Sequence, residues 1–310
     1  MENGLLPDRW FPVRPRTLLT QVKEERMPFS WSINPYRGCG HGCHFCYARQ
    51  THTWLGFHTD DSFRNNIIVK KEAAQILREE LHKGKWKGGG IAVGTVTDPY
   101  QQIEGKLKIT REILRVLREY SVPISITTRS PLILRDLDLL RDMKIDSINI
   151  SISTLSEEVW KQTEPSSPHP KQRLLAVKKL NEARIQAGVF LAPIMPYLTD
   201  QDEQLEAVIR EAGVNKAQFL IPSVLRLKPE VKDWFFRQIH RSFPKIYPRL
   251  VRLYEGGYAP EEYVRGIREK VLRLAEEEGL PTTLRNRRMD PTKDPSKHAT
   301  VEAPVQLSLF

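Results

Sequence analysis

Six short runs along the chain are apolar or β-branched almost throughout: FSWSIN (29–34), GIAVGTV (90–96), VPISITT (122–128), SINISIS (147–153), GVFLAPI (188–194) and AQFLIPS (217–223). Runs of this length and composition predict strands buried on both faces of a parallel sheet. Between them, apolar residues recur at helical spacing. KKEAAQILREELHK (70–83) puts Ala73, Ile76, Leu77 and Leu81 on one face, and KITREILRVLREY (108–120) does the same with Ile109, Ile113, Leu114 and Leu117. PLILRDLDLLRDM (131–143) opens on proline, which suits a first helical turn. PKQRLLAVKKLNEARIQAG (170–188) closes on Gly188 as a C-cap, and DQDEQLEAVIREAG (200–213) carries acids in its first turn. Strand and helix therefore alternate six times, predicting an α/β fold, either a doubly wound sheet or an open barrel. No GxGxxG follows the first strand, which weakens a dinucleotide-binding reading. In both architectures the site belongs at the carboxyl ends of the strands.

The alternation stops near residue 228. Residues 228–254 read as helical and basic, and PEEYVRGIREKVLRLAEEEG (260–279) as a helix with Val264, Ile267, Val271 and Leu274 on one face. From about 281 the chain turns polar and proline-dotted, the composition of a flexible tether. This divides the chain into an N-terminal segment (1–28), a core (29–227), a helical extension (228–280) and a disordered tail (281–310). A net charge of +10 over 310 residues points to a polyanionic partner or simply a basic surface. No window has the apolar run of a membrane span, and the start lacks a signal-peptide core, so the expected location is the cytoplasm.

The chemistry is concentrated in NPYRGCGHGCHFCYARQ. The three cysteines of the chain, Cys39, Cys43 and Cys46, fall in a C-x3-C-x2-C pattern just past the first strand. Thiolates are soft ligands suited to iron–sulfur clusters or zinc. Three ligands leave one metal position open, as in a chemically active site, and Gly38, Gly40 and Gly42 suit a backbone wrapped closely around a cofactor. The alternative is a structural zinc site with His41 or His44 as fourth ligand in a non-catalytic nucleic-acid-binding protein.

C-x3-C-x2-C with Phe45 before the last cysteine resembles the signature of radical S-adenosylmethionine (SAM) enzymes, and the resemblance extends over roughly residues 29–225. It implies an open six-stranded (β/α)6 partial TIM barrel and a [4Fe–4S] cluster on the three thiolates. S-adenosyl-L-methionine would chelate the fourth iron and be cleaved to a 5′-deoxyadenosyl radical, with electrons from a flavodoxin- or ferredoxin-type donor. It further implies Phe45 against the adenine, and Thr95, Thr97 and Asp98 of GTVTDPYQ near the methionine amino group. The usual Gly-Gly-Glu is absent there. Ser151 and Ser153 fall where the family contacts ribose or carboxylate, although Ser156 ahead of two glutamates reads equally as a helix N-cap. Arg173 is a carboxylate partner by the same resemblance, or else a solvated helix residue.

RGCGHGCHFCYAR, GTVTDPYQ, TTRSPLILRDLDLL and EPSSPHPKQRL are similar to the group related to spore photoproduct lyase, which implies action on DNA in lesion repair or base modification. That lyase returns hydrogen from an additional cysteine. This chain has none to spare, so Tyr100 or Tyr197 would substitute, or the reaction differs. RNA, a protein or a small molecule stay open as substrates. RSFPKIYPRLVRLY (241–254) interleaves Arg241, Lys245, Arg249 and Arg252 with Phe243, Tyr247 and Tyr254, either a phosphate-and-stacking strip or an amphipathic helix. The chain ends QLSLF, which resembles the pentapeptide that docks on the bacterial sliding clamp: Gln306 offers amide hydrogen bonds, and Leu307, Leu309 and Phe310 fill an apolar groove.

Overall fold

All six predicted strands form in the computed structural model, which describes residues 10–24 and 27–282. They are β1 (Trp31–Ile33), β2 (Ile91–Val93), β3 (Ile124–Thr128), β4 (Ile145–Ser151), β5 (Ala187–Ile194) and β6 (Leu220–Val224). Each pairs in parallel with the next, in chain order. The outer edge of β1 is taken by Thr20–Gln21, antiparallel, so β1 and β6 do not meet and the sheet stays open.

The expectation of strands buried in apolar surroundings on both faces holds for one face only. Ile124 and Ile126 of β3 and Ile148 and Ile150 of β4 point outward under the helices and are fully buried. Their neighbours Ser125, Thr127, Ser147, Asn149 and Ser151 line an internal cavity of about 920 Å³, faced across by Phe190, Ala192, Ile221 and Ser223 of β5 and β6. The period-2 alternation inside VPISITT and SINISIS is thus the mark of a sheet that curls round a polar interior. This curled, open (β/α)6 arrangement is the partial barrel.

Three helix expectations shift. The segment 170–188 is helical only over Pro170–Glu182, and Gly188 lies inside β5 instead of capping the helix. Asn181 ends the helix: its side-chain amide donates to the carbonyls of Ala187 and Lys216 at 2.9 Å, and its Oδ1 accepts from Ala187 N. A Cβ at Gly188 would sit 2.4 Å from the Phe219 carbonyl oxygen, so glycine is required there by close packing. Residues 131–143 form a 3-10 helix (Pro131–Asp136) running into one α turn (Leu137–Leu140). The basic stretch divides into Pro229–Ser242 and Tyr247–Leu253, the break falling at Pro244.

A second, three-stranded sheet has no counterpart in the periodicity. Ile67–Lys70 lies at its centre, parallel to Trp10–Val13 and antiparallel to Tyr36–Arg37. Tyr36, Ile67 and Val69 are buried with Ile103 beneath it. This sheet anchors the chain immediately before Cys39. Among the described residues no helix is long and apolar enough to cross a membrane. The tail residues Gln306, Leu307, Leu309 and Phe310 lie outside the described residues.

Gly188→Ala must push β5 away from Phe219, an overpacking of the core. The expected cost is about 3 kcal/mol, read as a lowered urea midpoint with an unchanged slope.

Candidate functional site

The cysteine loop leaves the second sheet at Arg37 and crosses the carboxyl end of the main sheet. Cys39, Cys43 and Cys46 are unpaired, and all three line the internal cavity. The glycines act differently from expectation, since Gly38, Gly40 and Gly42 do not line it. A Cβ on Gly38 (φ +82°) would lie 2.8 Å from Asn66 O, on Gly42 (φ +66°) 2.7 Å from Arg64 Cδ, and on Gly40 2.5 Å from Gln102 Oε1. They let the loop press against its own scaffold. Arg49, wholly buried, clamps the loop from behind: Nε donates to Cys43 O at 2.9 Å and Nη2 to Gly42 O at 2.5 Å, while Nη1 donates to the carbonyls of Thr59 and Asp60.

GTVTDPYQ forms the opposite wall. Thr95, Thr97 and Asp98 all line the cavity. Their hydrogen bonds are internal to the protein. Thr97 Oγ1 donates to Gly38 O at 2.6 Å, Thr95 Oγ1 accepts from Asn34 Nδ2 at 2.9 Å, and Gln101 Oε1 accepts from Gly40 N at 2.8 Å. Asp98 is the most heavily committed. Oδ1 accepts from Tyr100 N (2.8 Å) and Thr128 Oγ1 (2.6 Å), and Oδ2 accepts from Arg129 N (2.7 Å) and lies 3.2 Å from His41 Nε2. Burial alone would raise this carboxyl; His41 and the donors from Arg129 and Thr128 outweigh it and hold it at about 2. Asp98 thus binds three pieces of the site together.

A second buried carboxylate, Glu164, organises the far side. It accepts from Arg173 Nη2 (2.6 Å), Ser167 Oγ (2.9 Å) and Ser153 Oγ, and Arg129 Nε lies 3.3 Å away. Burial works to raise its carboxyl, but Arg173 and Arg129 bring it down to about 2. Arg173 is fully buried and also donates to Pro168 O and Ser151 O, so it is a strut and not a solvated helix residue. Arg129 does line the cavity, its guanidinium carbon 5.4 Å from the Phe45 ring centroid.

The cavity therefore gathers Cys39, Cys43, Cys46, Phe45, Thr95, Thr97, Asp98 and Ser151. Ser153 and Arg173 stand behind it. Tyr100 and Tyr197 do not line it: Tyr100 is buried in the outer core under Arg135, and Tyr197 packs against Tyr263 and Arg249. The one tyrosine on the cavity wall is Tyr47, whose hydroxyl donates to Thr95 O. Arg49, Arg129 and Glu164 escaped the sequence reading because each acts through partners distant in the chain. Arg129 still carried a cue, its position directly after a strand end. The basic stretch keeps Arg241, Lys245, Arg249 and Arg252 exposed. Tyr254 is buried and donates to Leu225 O, and Phe243 and Tyr247 are half-buried against a core cluster, which leaves less of their rings free for base stacking.

The donor set fits a thiolate-bound cluster. Burial pushes the Cys39 thiol up and Cys43 to about 12, and two cations, the buried Arg49 and Arg129 at the cavity wall, stand close to the loop to offset thiolate charge. Among the described residues no three His, Cys, Asp or Glu side chains are grouped so as to hold a single metal ion. His41 has Asp98 at one ring nitrogen and Ser166 O and Gln102 Nε2 at 3.4 Å from the other. His44 turns its ring to Trp234, outside the cavity lining. Neither suits a fourth zinc ligand.

A model of the Radical SAM superfamily matches residues 33–210. The chain belongs to that superfamily, whose membership implies a [4Fe–4S] cluster and S-adenosylmethionine. An uncharacterized protein of Mycobacterium tuberculosis is 32% identical over 288 residues, covering 92% of this chain and 83% of its own. One of Methanocaldococcus jannaschii is 33% identical over 215 residues, covering 69% and 77%. Spore photoproduct lyase complexed with dinucleoside spore photoproduct superimposes with a TM-score of 0.63 at 18% identity, over 86% of this chain and 79% of that one. A mutant of that lyase with bound AdoMet and dinucleoside spore photoproduct gives 0.62 at 18%, over 86% and 78%. These likenesses establish the fold.

Asp98 and Glu164 carry depressed native pKa values near 2, below the ordinary carboxylate range of about 4. Their stabilisation is present above that range and is lost as pH falls through about 2. In metal-free protein, Asp98→Asn is expected to lower stability at neutral pH and flatten the fall between about pH 4 and 2, measured by urea unfolding across a pH series.

Proposed function

We propose that this chain is a radical SAM enzyme that acts on DNA, in lesion repair or base modification. One observation carries the reading: three unpaired thiols share the cavity at the carboxyl ends of the strands with Phe45, Asp98, Arg129 and Ser151. Cys39, Cys43 and Cys46 would hold a [4Fe–4S] cluster whose open iron position takes S-adenosylmethionine. Together these supply, when bound, a 5′-deoxyadenosyl radical for hydrogen abstraction.

The protein's own residues prepare the place. Arg49 fixes the loop through its carbonyls, so that three thiols on eight residues keep one arrangement. Asp98 holds the loop to the ends of β2 and β3. Arg129, braced by Glu164, supplies a fixed positive charge at the cavity wall, suited to an anionic group of the cofactor. Phe45 offers an apolar face for a planar base. The curled sheet, with its hydroxyl-lined interior, shields a reactive centre from bulk water.

DNA as substrate is supported by the net charge of +10 and by Arg241, Lys245, Arg249 and Arg252, exposed on the helical extension. All three cysteines being committed, hydrogen cannot return to product from a spare thiol of this chain. This sets the expected reaction apart from that of spore photoproduct lyase as the sequence resemblance describes it. We place the enzyme in the cytoplasm, where an electron donor of flavodoxin or ferredoxin type would reduce it, and Gln306–Phe310 as the peptide that recruits it to the sliding clamp.

Anaerobic reconstitution is expected to yield a brown protein that cleaves S-adenosylmethionine to 5′-deoxyadenosine under reductant, and Cys43→Ser to abolish both colour and cleavage. Deuterium from labelled DNA should enter the 5′-deoxyadenosine; label from RNA alone would move the substrate to RNA. Removing Gln306–Phe310 is expected to abolish clamp binding and leave cleavage intact.

A further inference from the structure

Of the seven large hydrophobic side chains that the described residues leave exposed, four lie beside the cysteine loop: Phe11, Val13, Trp54 and Leu55, with Trp54 at 64%. They lie on two segments. Phe11 and Val13 are two apart on the strand Trp10–Val13 and so point to the same face, away from the buried Tyr36, Ile67 and Val69. Register places Ile68 and Arg37 opposite Phe11, and Lys70 opposite Val13, on that outer face. Phe57 closes the gap to the second segment, its ring centroid 6.4 Å from that of Phe11. Trp54 and Leu55 end the 3-10 helix Tyr47–Leu55.

This surface frames both arms of the cysteine loop. Arg37 lies two residues before Cys39, and the helix bearing Trp54 begins directly after Cys46. A packed path runs inward from it. The Phe57 ring is 5.4 Å from the buried His52 ring, and His52 Cε1 lies 2.9 Å from where a Gly38 Cβ would be. Gly38 is bonded to Cys39. Arg16 and Lys71 are exposed cations at the rim, beside the Arg14–Glu72 pair at 2.8 Å.

We infer that the face of Phe11, Val13, Trp54, Leu55 and Phe57, flanked by Arg37 and Lys70, docks an acidic one-electron carrier protein that reduces the cluster through Phe57, His52 and Gly38. The inference rests on the reading of Cys39, Cys43 and Cys46 as cluster ligands. An apolar centre with a charged rim is the anatomy of a transient protein interface. Nucleic acid would favour the purely cationic strip of the helical extension instead. In the step one electron leaves the reduced carrier and one enters the oxidised cluster; the carrier is oxidised by one equivalent, and no bond or proton changes.

The test mixes the reconstituted full chain anaerobically with a reduced flavodoxin, and separately with dithionite, and follows bleaching of the cluster absorbance. The double variant Trp54→Ala, Leu55→Glu is expected to slow reduction by flavodoxin about tenfold or more, with iron content and dithionite rate unchanged. Added salt should slow the wild type towards the variant. Equal flavodoxin rates in wild type and variant overturn the inference, the more so if the variant has lost DNA affinity, which would assign the face to nucleic acid. If dithionite reduction also slows, the variant has disturbed the loop. Val13→Glu, on the other segment, then decides by the same pair of rates. A wild type that assembles no cluster at all would refute the parent reading instead.

Discussion

The buried carboxylate of Asp98 is the constraint on which the site depends. Buried at the cavity wall, it draws its hydrogen bonds from protein donors. The donors are Tyr100 N in its own turn and Thr128 and Arg129 at the end of β3, and His41 Nε2 of the cysteine loop lies 3.2 Å away. Satisfying one group therefore fixes the loop against two strand ends. Asp98, on the cavity wall, thereby also sets where the thiols stand.

Glu164 repeats this logic on the other side of the cavity, with Arg173 buried beneath it and Arg129 reaching past it to the wall. Removing Glu164 would strand the buried guanidinium of Arg173 beside Arg129, which costs more than the pair itself contributes. Two buried anions, each ringed by donors, brace a loop whose Cys43 and Phe45 also pack into an apolar cluster. Around them the sheet supplies rigidity on its outer face, where isoleucines meet helices, and room on its inner face, where serines and threonines do not fill the space.

How much of this was legible follows from the range of the forces involved. The cysteine spacing is local and could be read directly. Strand positions could be read because apolar runs persist whatever covers them. Which face was which lay in the alternation of VPISITT and SINISIS, readable once a polar interior is admitted. The second sheet was not readable, because strands of two to four residues carry too little periodicity. Arg129, Glu164 and Arg49 were hidden for a different reason. Their roles arise from partners brought together only by the fold, and Tyr100 and Tyr197 show the converse, eligible by chemistry yet placed away from the cavity.

The central claim is that Cys39, Cys43 and Cys46 hold a cluster with one coordination position open to S-adenosylmethionine. Electron paramagnetic resonance of the reduced, reconstituted protein tests it most directly. Adding S-adenosylmethionine should change the g-values of the cluster signal, because the ligand joins the open iron. A spectrum unchanged by saturating S-adenosylmethionine would contradict the account and leave a closed, structural metal site.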